Sequence, residues 1–216
     1  MKTPKLLLNG LILIPIVCAI FALTGYRYFL HVAIPVVCGL LIGCFANKDV
    51  DRSRWLLVAA LAFSIVGDWF LKHRNDDDMR FVYGIALFFI AHICYLAFCL
   101  KNGNIRLLLL FILLAGYLPF FIFRLMPAIS DSVLQMAVLA YMLISCVSLA
   151  AAQGLRLSTM FARWLFFAGI ACIVFSDTLI AVYEFLNEGK WLYDHLMTPT
   201  YYAAHILITY AVTARI

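Results

Sequence analysis

Two aspartates interrupt long apolar stretches of this chain, Asp68 in "SIVGDWFL" and Asp177 in "CIVFSD". A carboxylate that leaves water for hydrocarbon loses its hydration, so an ionisable residue in such a stretch is costly and usually functional. A histidine follows each aspartate, His92 in "FFIAHI" and His205 in "YYAAHI". Carboxylates and imidazoles together are typical of general acid–base catalysis or of a proton relay.

The composition indicates the environment in which these residues work. Hydrophobic residues make up 66% of the 216 residues, and charged residues make up only 12%. So few charges cannot cover the surface of a water-soluble domain, and the composition therefore predicts an integral membrane protein. The apolar runs do not alternate as the strands of a β-barrel do, so we expect helices. The loops are short, which predicts a single membrane domain over residues 1–216.

Eight stretches are long and apolar enough to cross a bilayer as helices, which takes roughly 17–25 residues. Six of them lack Asp, Glu, Lys and Arg, and the other two qualify only if each tolerates a buried aspartate. The predicted spans are 6–26, 28–47, 55–72, 81–100, 107–123, 132–155, 160–184 and 195–214. The expected fold is therefore all-α, a polytopic membrane protein with eight transmembrane helices.

The basic residues predict the orientation of these helices. Ten of the sixteen Lys and Arg residues lie in the N-terminus, the C-terminus and the loops 47–54, 101–106 and 153–163. The positive-inside rule therefore predicts that both termini are cytoplasmic, and a bacterial inner membrane is the expected location. The net charge of +5 follows from this asymmetry and does not indicate nucleic acid. The seven cysteines all fall within predicted spans, with no spacing typical of a disulfide framework or a zinc ribbon.

Depths along the predicted helices bring the polar residues together. At ~1.5 Å per residue, Asp68 and Asp177 lie roughly 20 and 21 Å from the cytoplasmic face. His205 then lies roughly 10 Å below the outer face, and His92 lies near mid-membrane with Tyr95 beyond it. We expect a polar pocket in the outer half, walled by the third, fourth, seventh and eighth helices. Four further residues lie towards its mouth: Tyr83, Glu184, Tyr201 and Tyr202.

The order of aspartate and histidine occurs once in each half of the chain. The third and seventh spans carry the aspartates, and the fourth and eighth carry the histidines. Two alternatives remain open. Helices 1–4 and 5–8 are parallel repeats related by an axis along the membrane normal, or the short similarities are a coincidence between apolar segments.

The chemistry available to this pocket follows from its two carboxylates. Two carboxylates in one low-dielectric pocket do not ionise together readily. One protonated and one ionised carboxyl is the arrangement that cleaves acetal-like bonds by acid catalysis. The chain has no G-x-S-x-G motif, and no cysteine lies convincingly beside a histidine. The residues alone therefore leave an intramembrane acid–base site and a proton relay as alternatives, and a purely structural role explains least.

Four stretches carry a resemblance to a known family: "SIVGDWFL", "FVYGIALFFIAHICY", "FSDTLIAVYEF" and "YYAAHILITY". Together they resemble the YhhN-type lysoplasmalogenases over essentially the whole chain, including the eight spans. Members of that family cleave the vinyl ether bond of lysoplasmalogens, which yields a fatty aldehyde and glycerophospho-ethanolamine or -choline. The family motif corresponds to Gly67, Asp68, Tyr83, Gly84, His92, Tyr95, Ser176, Asp177 and Tyr201.

The chemistry of vinyl ether hydrolysis, which needs a proton donor to carbon and an anion beside the cation, leads us to a hypothesis for the roles of these residues. Asp68 is expected to be the acid and Asp177 the ionised partner, with the reverse assignment left open. His92 is the third expected catalytic residue. Substrate contacts are expected from Tyr83, Tyr95, Tyr201, His205, Arg80 and Lys190. The phosphate is expected to meet Arg80, Lys72 or Lys190. Position 205 is more often glutamine in the family, so a catalytic role for this histidine is in doubt.

The expected partners are a lysophospholipid substrate and the surrounding membrane lipid, with no metal, no cofactor and no protein partner. Two rival functions are weaker. A proton-coupled transporter would favour helices broken at matching midplane positions, and the functional segments lack paired Gly or Pro breaks. A zinc-dependent lipid amidase would use histidine ligands, and only two histidines are expected deep in the membrane.

Overall fold

The computed structural model describes residues 5–25, 27–50, 52–73 and 78–214, and these ranges are helical almost throughout. Six long helices are uninterrupted: α1 (Lys5–Thr24), α2 (Arg27–Phe45), α3 (Arg54–Lys72), α4 (Asp78–Asn102), α6 (Ser132–Gln153) and α7 (Met160–Leu186). Two others contain a π-helical turn. α5 consists of Leu107–Phe120, Phe121–Leu125 and Met126–Ala128, and α8 consists of Lys190–Leu192, Tyr193–Met197 and Thr198–Thr213. The described ranges contain no strand, so the all-α prediction is confirmed.

The lengths and hydropathy of the helices fit a membrane. Within the described residues, five segments are long and apolar enough to cross a bilayer: Arg54–Lys72, Met79–Asn102, Leu107–Ala128, Ser132–Gln153 and Met160–Leu186. Two shorter apolar segments, Gly10–Thr24 and Phe29–Phe45, lie in α1 and α2. Large apolar side chains such as Phe29, Leu108 and Phe123 are exposed on the outside of the bundle. Such a surface requires lipid around it, and the chain is an integral membrane protein.

The helices pack as a closed ring. Going round it, α2 contacts α3, α3 contacts α4, α4 contacts α6, α6 contacts α7, α7 contacts α8, and α8 returns to α2. α1 packs outside the ring against α2 and α8, and α5 packs outside it against α6. Polar side chains that face the centre of the ring are thereby shielded from lipid.

Local signals set the ends of the helices that carry the site. The Asp131 carboxylate accepts a hydrogen bond from the Leu134 amide (2.7 Å) and caps α6, and the Thr159 hydroxyl caps α7 in the same way. α7 ends at Asn187, which has a left-handed backbone (φ 54°), and Gly189 (φ 66°) precedes α8. These conformations turn the chain back within three residues, so α8 packs antiparallel to α7.

Glycines allow the helices of the site to approach closely. A Cβ atom on Gly169 of α7 would lie 2.6 Å from the Ile208 side chain and 3.1 Å from the Ala204 carbonyl oxygen of α8. A Cβ atom on Gly84 of α4 would lie 2.7 Å from the Leu71 side chain of α3. Small residues at such contacts are the usual means of tight packing between membrane helices.

Replacement of Gly169 by alanine is therefore expected to destabilise the protein by about 1–3 kcal/mol, because the added methyl group meets backbone as well as side chain. Gly116 of α5 is the control, since a Cβ atom there has nothing within 4 Å. Thermal unfolding in detergent measures both variants. An equal melting temperature for Gly169→Ala and Gly116→Ala would contradict the close packing of α7 on α8.

Candidate active site

A cavity of about 1020 Å³ lies at the end of the ring where α3 and α7 end and α8 begins. Residues from α1, α2, α3, α4, α7 and α8 line it, and both Asp68 and Asp177 are among them. Each aspartate side chain is only 15% exposed, so the carboxylates contact the cavity while most of their surface is buried. A concave site in which polar groups converge beside apolar side chains is the usual form of a small-molecule pocket.

Asp68 is held by side chains from two other helices. The Tyr201 hydroxyl of α8 donates a hydrogen bond to Asp68 Oδ2 (2.8 Å), and His31 Nε2 of α2 lies 3.2 Å from the same oxygen. His31 Nδ1 is 2.9 Å from the Tyr202 hydroxyl. The tautomer that donates from Nε2 to the carboxylate therefore accepts from Tyr202 at Nδ1. His31 also stacks on the Tyr201 ring, with centroids 5.9 Å apart. The four side chains form one hydrogen-bonded chain.

Asp177 has a different set of neighbours. The Tyr141 hydroxyl of α6 donates to Asp177 Oδ2 (2.5 Å). His92 Nε2 of α4 lies 4.0 Å from the same oxygen, beyond hydrogen-bonding distance, and neither ring nitrogen of His92 has a hydrogen-bond partner among the described residues. The His92 ring packs edge-on against Tyr141, with centroids 5.3 Å apart. Asp177 thus receives one neutral donor and has an imidazole nearby.

Three predicted site residues lie behind the cavity wall. His92, Tyr95 and His205 are fully buried, and none lines the cavity among the residues that the structure describes. His205 packs edge-on against Tyr201 (4.4 Å between centroids), and Tyr95 packs against His92 (6.1 Å). His92 and His205 thus contact the tyrosines that donate to the aspartates, Tyr141 and Tyr201, and Tyr95 packs behind His92.

Three other predicted residues lie away from the cavity within the described part of the chain. Arg80 is exposed, and its Nη1 donates to the His73 carbonyl oxygen (2.6 Å). Tyr83 is half exposed and packs edge-on against Phe70. Lys190 is exposed at the start of α8. Lys72 is the cation among the expected phosphate partners that lines the cavity.

His31 and Tyr141 are site residues that the sequence analysis did not identify. His31 had a signal, because it is an ionisable residue inside the predicted span 28–47 and the rule that singled out Asp68 applies to it equally. Tyr141 had none, because it is one of eleven tyrosines in a membrane protein. The mouth of the cavity also contains four residues of the π-helical turn of α8 that were not predicted: Tyr193, Asp194, His195 and Met197.

In the described ranges, no three side chains of His, Cys, Asp or Glu come together in the way that a metal site requires. The inner part of the cavity instead offers the Asp68 and Asp177 carboxylates, tyrosine hydroxyls and the His31 imidazole, with Glu184, Asp194 and His195 nearer the mouth. That combination can donate a proton, stabilise a developing positive charge and orient a water molecule.

Comparison with known proteins identifies the family. The sequence matches the YhhN family over residues 13–212. The chain belongs to the YhhN family. The resemblance inferred from the motifs is thereby confirmed, and the matched range contains both aspartates and the four side chains described above around them.

Curated relatives of this YhhN-family chain are named for one activity. Lysoplasmalogenase TMEM86B of Rattus norvegicus is 32% identical over 182 residues, which is 81% of this chain and 68% of the relative. The protein named lysoplasmalogenase from Mycobacterium bovis is 27% identical over 179 residues, 79% of this chain and 65% of the relative. The Mycobacterium tuberculosis protein of that name matches equally. The chain thus spans about two thirds of the length of these relatives. No solved structure matches the chain.

Proposed function

We propose that this YhhN-family protein is a membrane hydrolase that cleaves the vinyl ether bond of lysoplasmalogens. The products are a fatty aldehyde and glycerophospho-ethanolamine or -choline. The observation that carries the proposal is that two largely buried aspartates line one cavity, Asp68 and Asp177, each with a tyrosine hydroxyl on its Oδ2. The names of the curated relatives support the same activity.

The reaction needs an acid and an anion on either side of the substrate. A proton delivered to the alkene carbon converts the vinyl ether to an oxocarbenium ion, which water captures at the carbon bonded to oxygen. The resulting hemiacetal collapses to aldehyde and alcohol, and the proton returns to the site. A protonated carboxyl supplies the first step, and an ionised carboxylate stabilises the cation and orients the water.

We assign the acid to Asp177 and the ionised carboxylate to Asp68, which reverses the assignment preferred from the sequence. Asp68 accepts a hydrogen bond from Tyr201 and lies 3.2 Å from His31 Nε2, and two donors on one carboxylate favour its ionised form. Asp177 accepts from a phenol, and the wall around it is apolar, with Phe88, Val138 and Ile180 among its neighbours. The hydrogen-bond donors contact Oδ2 of both aspartates. Oδ1 is therefore the oxygen that we expect to transfer the proton in Asp177 and to orient water in Asp68.

The substrate is oriented by the two ends of the cavity. Lys72 is placed to meet the phosphate at the mouth, and apolar residues such as Leu23, Phe81 and Phe88 line the path of the hydrocarbon chain. His92 and Tyr95 position Asp177 from behind through the Tyr141 contact, and His205 supports Tyr201.

The full topology belongs to the proposal: eight spans, both termini cytoplasmic, a bacterial inner membrane, and two parallel four-helix repeats. The two halves of the chain share one pattern of helix contacts. Consecutive helices pack against each other in both halves, as α1–α2, α2–α3 and α3–α4 in the first and α5–α6, α6–α7 and α7–α8 in the second. The fourth helix of each half also packs against the second helix of the other half, as α4–α6 and α8–α2. The site supports the same symmetry. His31 precedes Asp68 by 37 residues, and Tyr141 precedes Asp177 by 36. The fourth helix of each half contributes Tyr201 or His92 to the aspartate of the other half.

Reporter fusions test this topology. Fusions near residues 50, 103 and 157 are expected on the cytoplasmic side, and fusions near 75 and 190 on the other, because Lys and Arg are concentrated at the first three. A cytoplasmic signal near 75 would contradict both the orientation and a cavity that opens away from the cytoplasm.

The activity is tested by incubating the purified protein with a lysoplasmalogen in detergent micelles. Aldehyde and glycerophospho-ethanolamine or -choline are expected in equal amounts. A folded protein that releases no aldehyde from either headgroup form would overturn the proposed function. Proton-driven uptake in liposomes by the same preparation would favour a transporter instead.

Strong chelators are expected to leave aldehyde release unchanged, because the proposed mechanism needs no Lewis acid. A zinc enzyme would instead generate its nucleophile from metal-bound water. Metal analysis of the purified protein accompanies the assay. Stoichiometric zinc, with activity lost when it is removed and restored when it is returned, would replace the carboxylate mechanism by a metal-dependent one.

A further inference from the structure

We propose that the end of the bundle opposite the two aspartates contains a binding site for an anionic phospholipid, formed by Arg106, Arg156 and Arg163. Two adjoining cavities of about 720 and 260 Å³ lie there, and Arg106 and Arg163 line both. Arg156 lines the smaller one. No carboxylate is among the lining residues of either cavity, and none of the three arginines forms an ion pair within the described ranges.

The backbone fixes the arginines relative to one another. The loops before α5 and α7 pair with each other and with the helix ends beside them through three hydrogen bonds: Asn104 N to Gly154 O (3.3 Å), Arg106 N to Ala150 O of α6 (3.1 Å) and Arg156 N to Asn102 O of α4 (2.9 Å). A Cβ atom on Gly154 would lie 1.7 Å from the Asn104 carbonyl oxygen, so a side chain at this position would separate the two loops. Arg106 and Arg156 are thus held by paired backbone segments, and Arg163 lies beside them in the first turn of α7.

The larger cavity is amphiphilic. From Arg106 and Arg163 it continues along Leu108, Ile112 and Trp164, which are large, exposed and apolar. A molecule that matches this lining has an anion at one end and hydrocarbon at the other. A phospholipid with net negative charge has that form, whereas free phosphate would leave the apolar part unfilled. Guanidinium groups are well suited to the phosphate, because they form paired hydrogen bonds with its oxygens.

This site is separate from the proposed active site. Arg163 and Asp177 lie on the same helix, roughly 21 Å apart along its axis. The charges at the two ends also differ, because the active-site cavity contains Glu184 and Asp194 near its mouth and the arginine-lined cavities contain no carboxylate. A resident lipid at the arginine site and a substrate at the aspartates can therefore be bound at once.

The test compares lipids and charge variants of the full chain. Protein in neutral detergent is titrated with phosphatidylglycerol or phosphatidylcholine, and native mass spectrometry counts the bound lipids while thermal unfolding reports stabilisation. The triple variant Arg106→Gln, Arg156→Gln, Arg163→Gln is compared with Lys48→Gln, Arg52→Gln, Lys101→Gln. The control removes the same charge from exposed residues at the same end of the bundle that line neither cavity.

We expect one phosphatidylglycerol to bind the wild type and the control at least ~10-fold more tightly than phosphatidylcholine, and the arginine variant to lose this preference. Millimolar inorganic phosphate is expected to compete only weakly. If the triple variant does not fold, Arg163→Gln alone is expected to weaken phosphatidylglycerol binding by at least ~3-fold. Equal losses in the arginine variant and the control would overturn the proposal in favour of general surface charge. Full competition by phosphate would overturn it in favour of a site for free anions.

Discussion

Asp68→Asn and Asp177→Asn are each expected to reduce aldehyde release by at least ~10²-fold, the usual scale for loss of general acid–base catalysis. Asparagine keeps the shape of the side chain and accepts the tyrosine hydrogen bond through its amide oxygen. It cannot deliver a proton to carbon, and it cannot balance the charge of an oxocarbenium ion. Both variants are expected to fold, and for Asp68→Asn the loss of a buried charge is compatible with a higher melting temperature.

Two controls accompany these variants. Asp49→Asn removes an exposed carboxylate at the far end of the bundle and is expected to leave turnover unchanged. His205→Gln is expected to be much milder than either aspartate variant, because His205 contacts Tyr201 and not the cavity. Wild-type turnover is expected to slow in heavy water, since protonation of carbon limits the rate. Folded Asn variants that release aldehyde at nearly the wild-type rate would refute the paired-carboxylate mechanism.

His31→Phe is expected to lower kcat by at least ~10-fold with little change in melting temperature. Phenylalanine keeps the stacking on Tyr201 but removes the donor to Asp68 and the acceptor for Tyr202. His31→Gln is expected to recover part of the loss, because its amide can donate to the carboxylate. His73→Phe is the matched control, since that imidazole is bonded to the Trp69 carbonyl oxygen and does not line the cavity.

A double variant separates this positioning role from a general effect on the fold. If His31 acts through Asp68, His31→Phe in the Asp68→Asn background is expected to cost far less than in the wild type, because the two residues work as a unit. Independent losses that multiply in the double variant would mean that His31 acts elsewhere. Unchanged turnover in His31→Phe would remove it from the site.

The aspartates and the all-helical fold could be predicted because both depend on a single strong rule. A backbone in hydrocarbon must form its own hydrogen bonds, which favours helices, and an unpaired charge there is costly. Asp68 and Asp177 are therefore easy to recognise as unusual residues within apolar spans. Tyr201 followed from the family motif and from depth. The estimate of depth in the membrane did not identify Tyr141. A tyrosine in a membrane helix is costly only when its hydroxyl lacks a hydrogen-bond partner, and the sequence does not show which tyrosines have one.

The sequence also does not show in which direction a side chain at a helix end points. Arg80 and Lys190 lie near helix ends on the correct side of the bundle, where depth alone suggested contact with a phosphate. Whether such a side chain points into a cavity depends on the local backbone, and the Arg80 guanidinium is bonded to the His73 carbonyl oxygen of the preceding helix end. Lys72 lines the cavity, because it is the last residue of α3 and lies on the same face of that helix as Asp68.

The closure of the ring by α8 has a consequence for synthesis of the protein. Asp68 and His31 leave the ribosome early, but Tyr201 and Tyr202, which complete their hydrogen-bonded chain, follow more than a hundred residues later. A nascent chain that lacks α8 has no contact between α8 and α2, so its cavity is open to lipid on that side. The proposed active site is therefore incomplete until α8 has been inserted, and a chain that lacks α8 is expected to release no aldehyde.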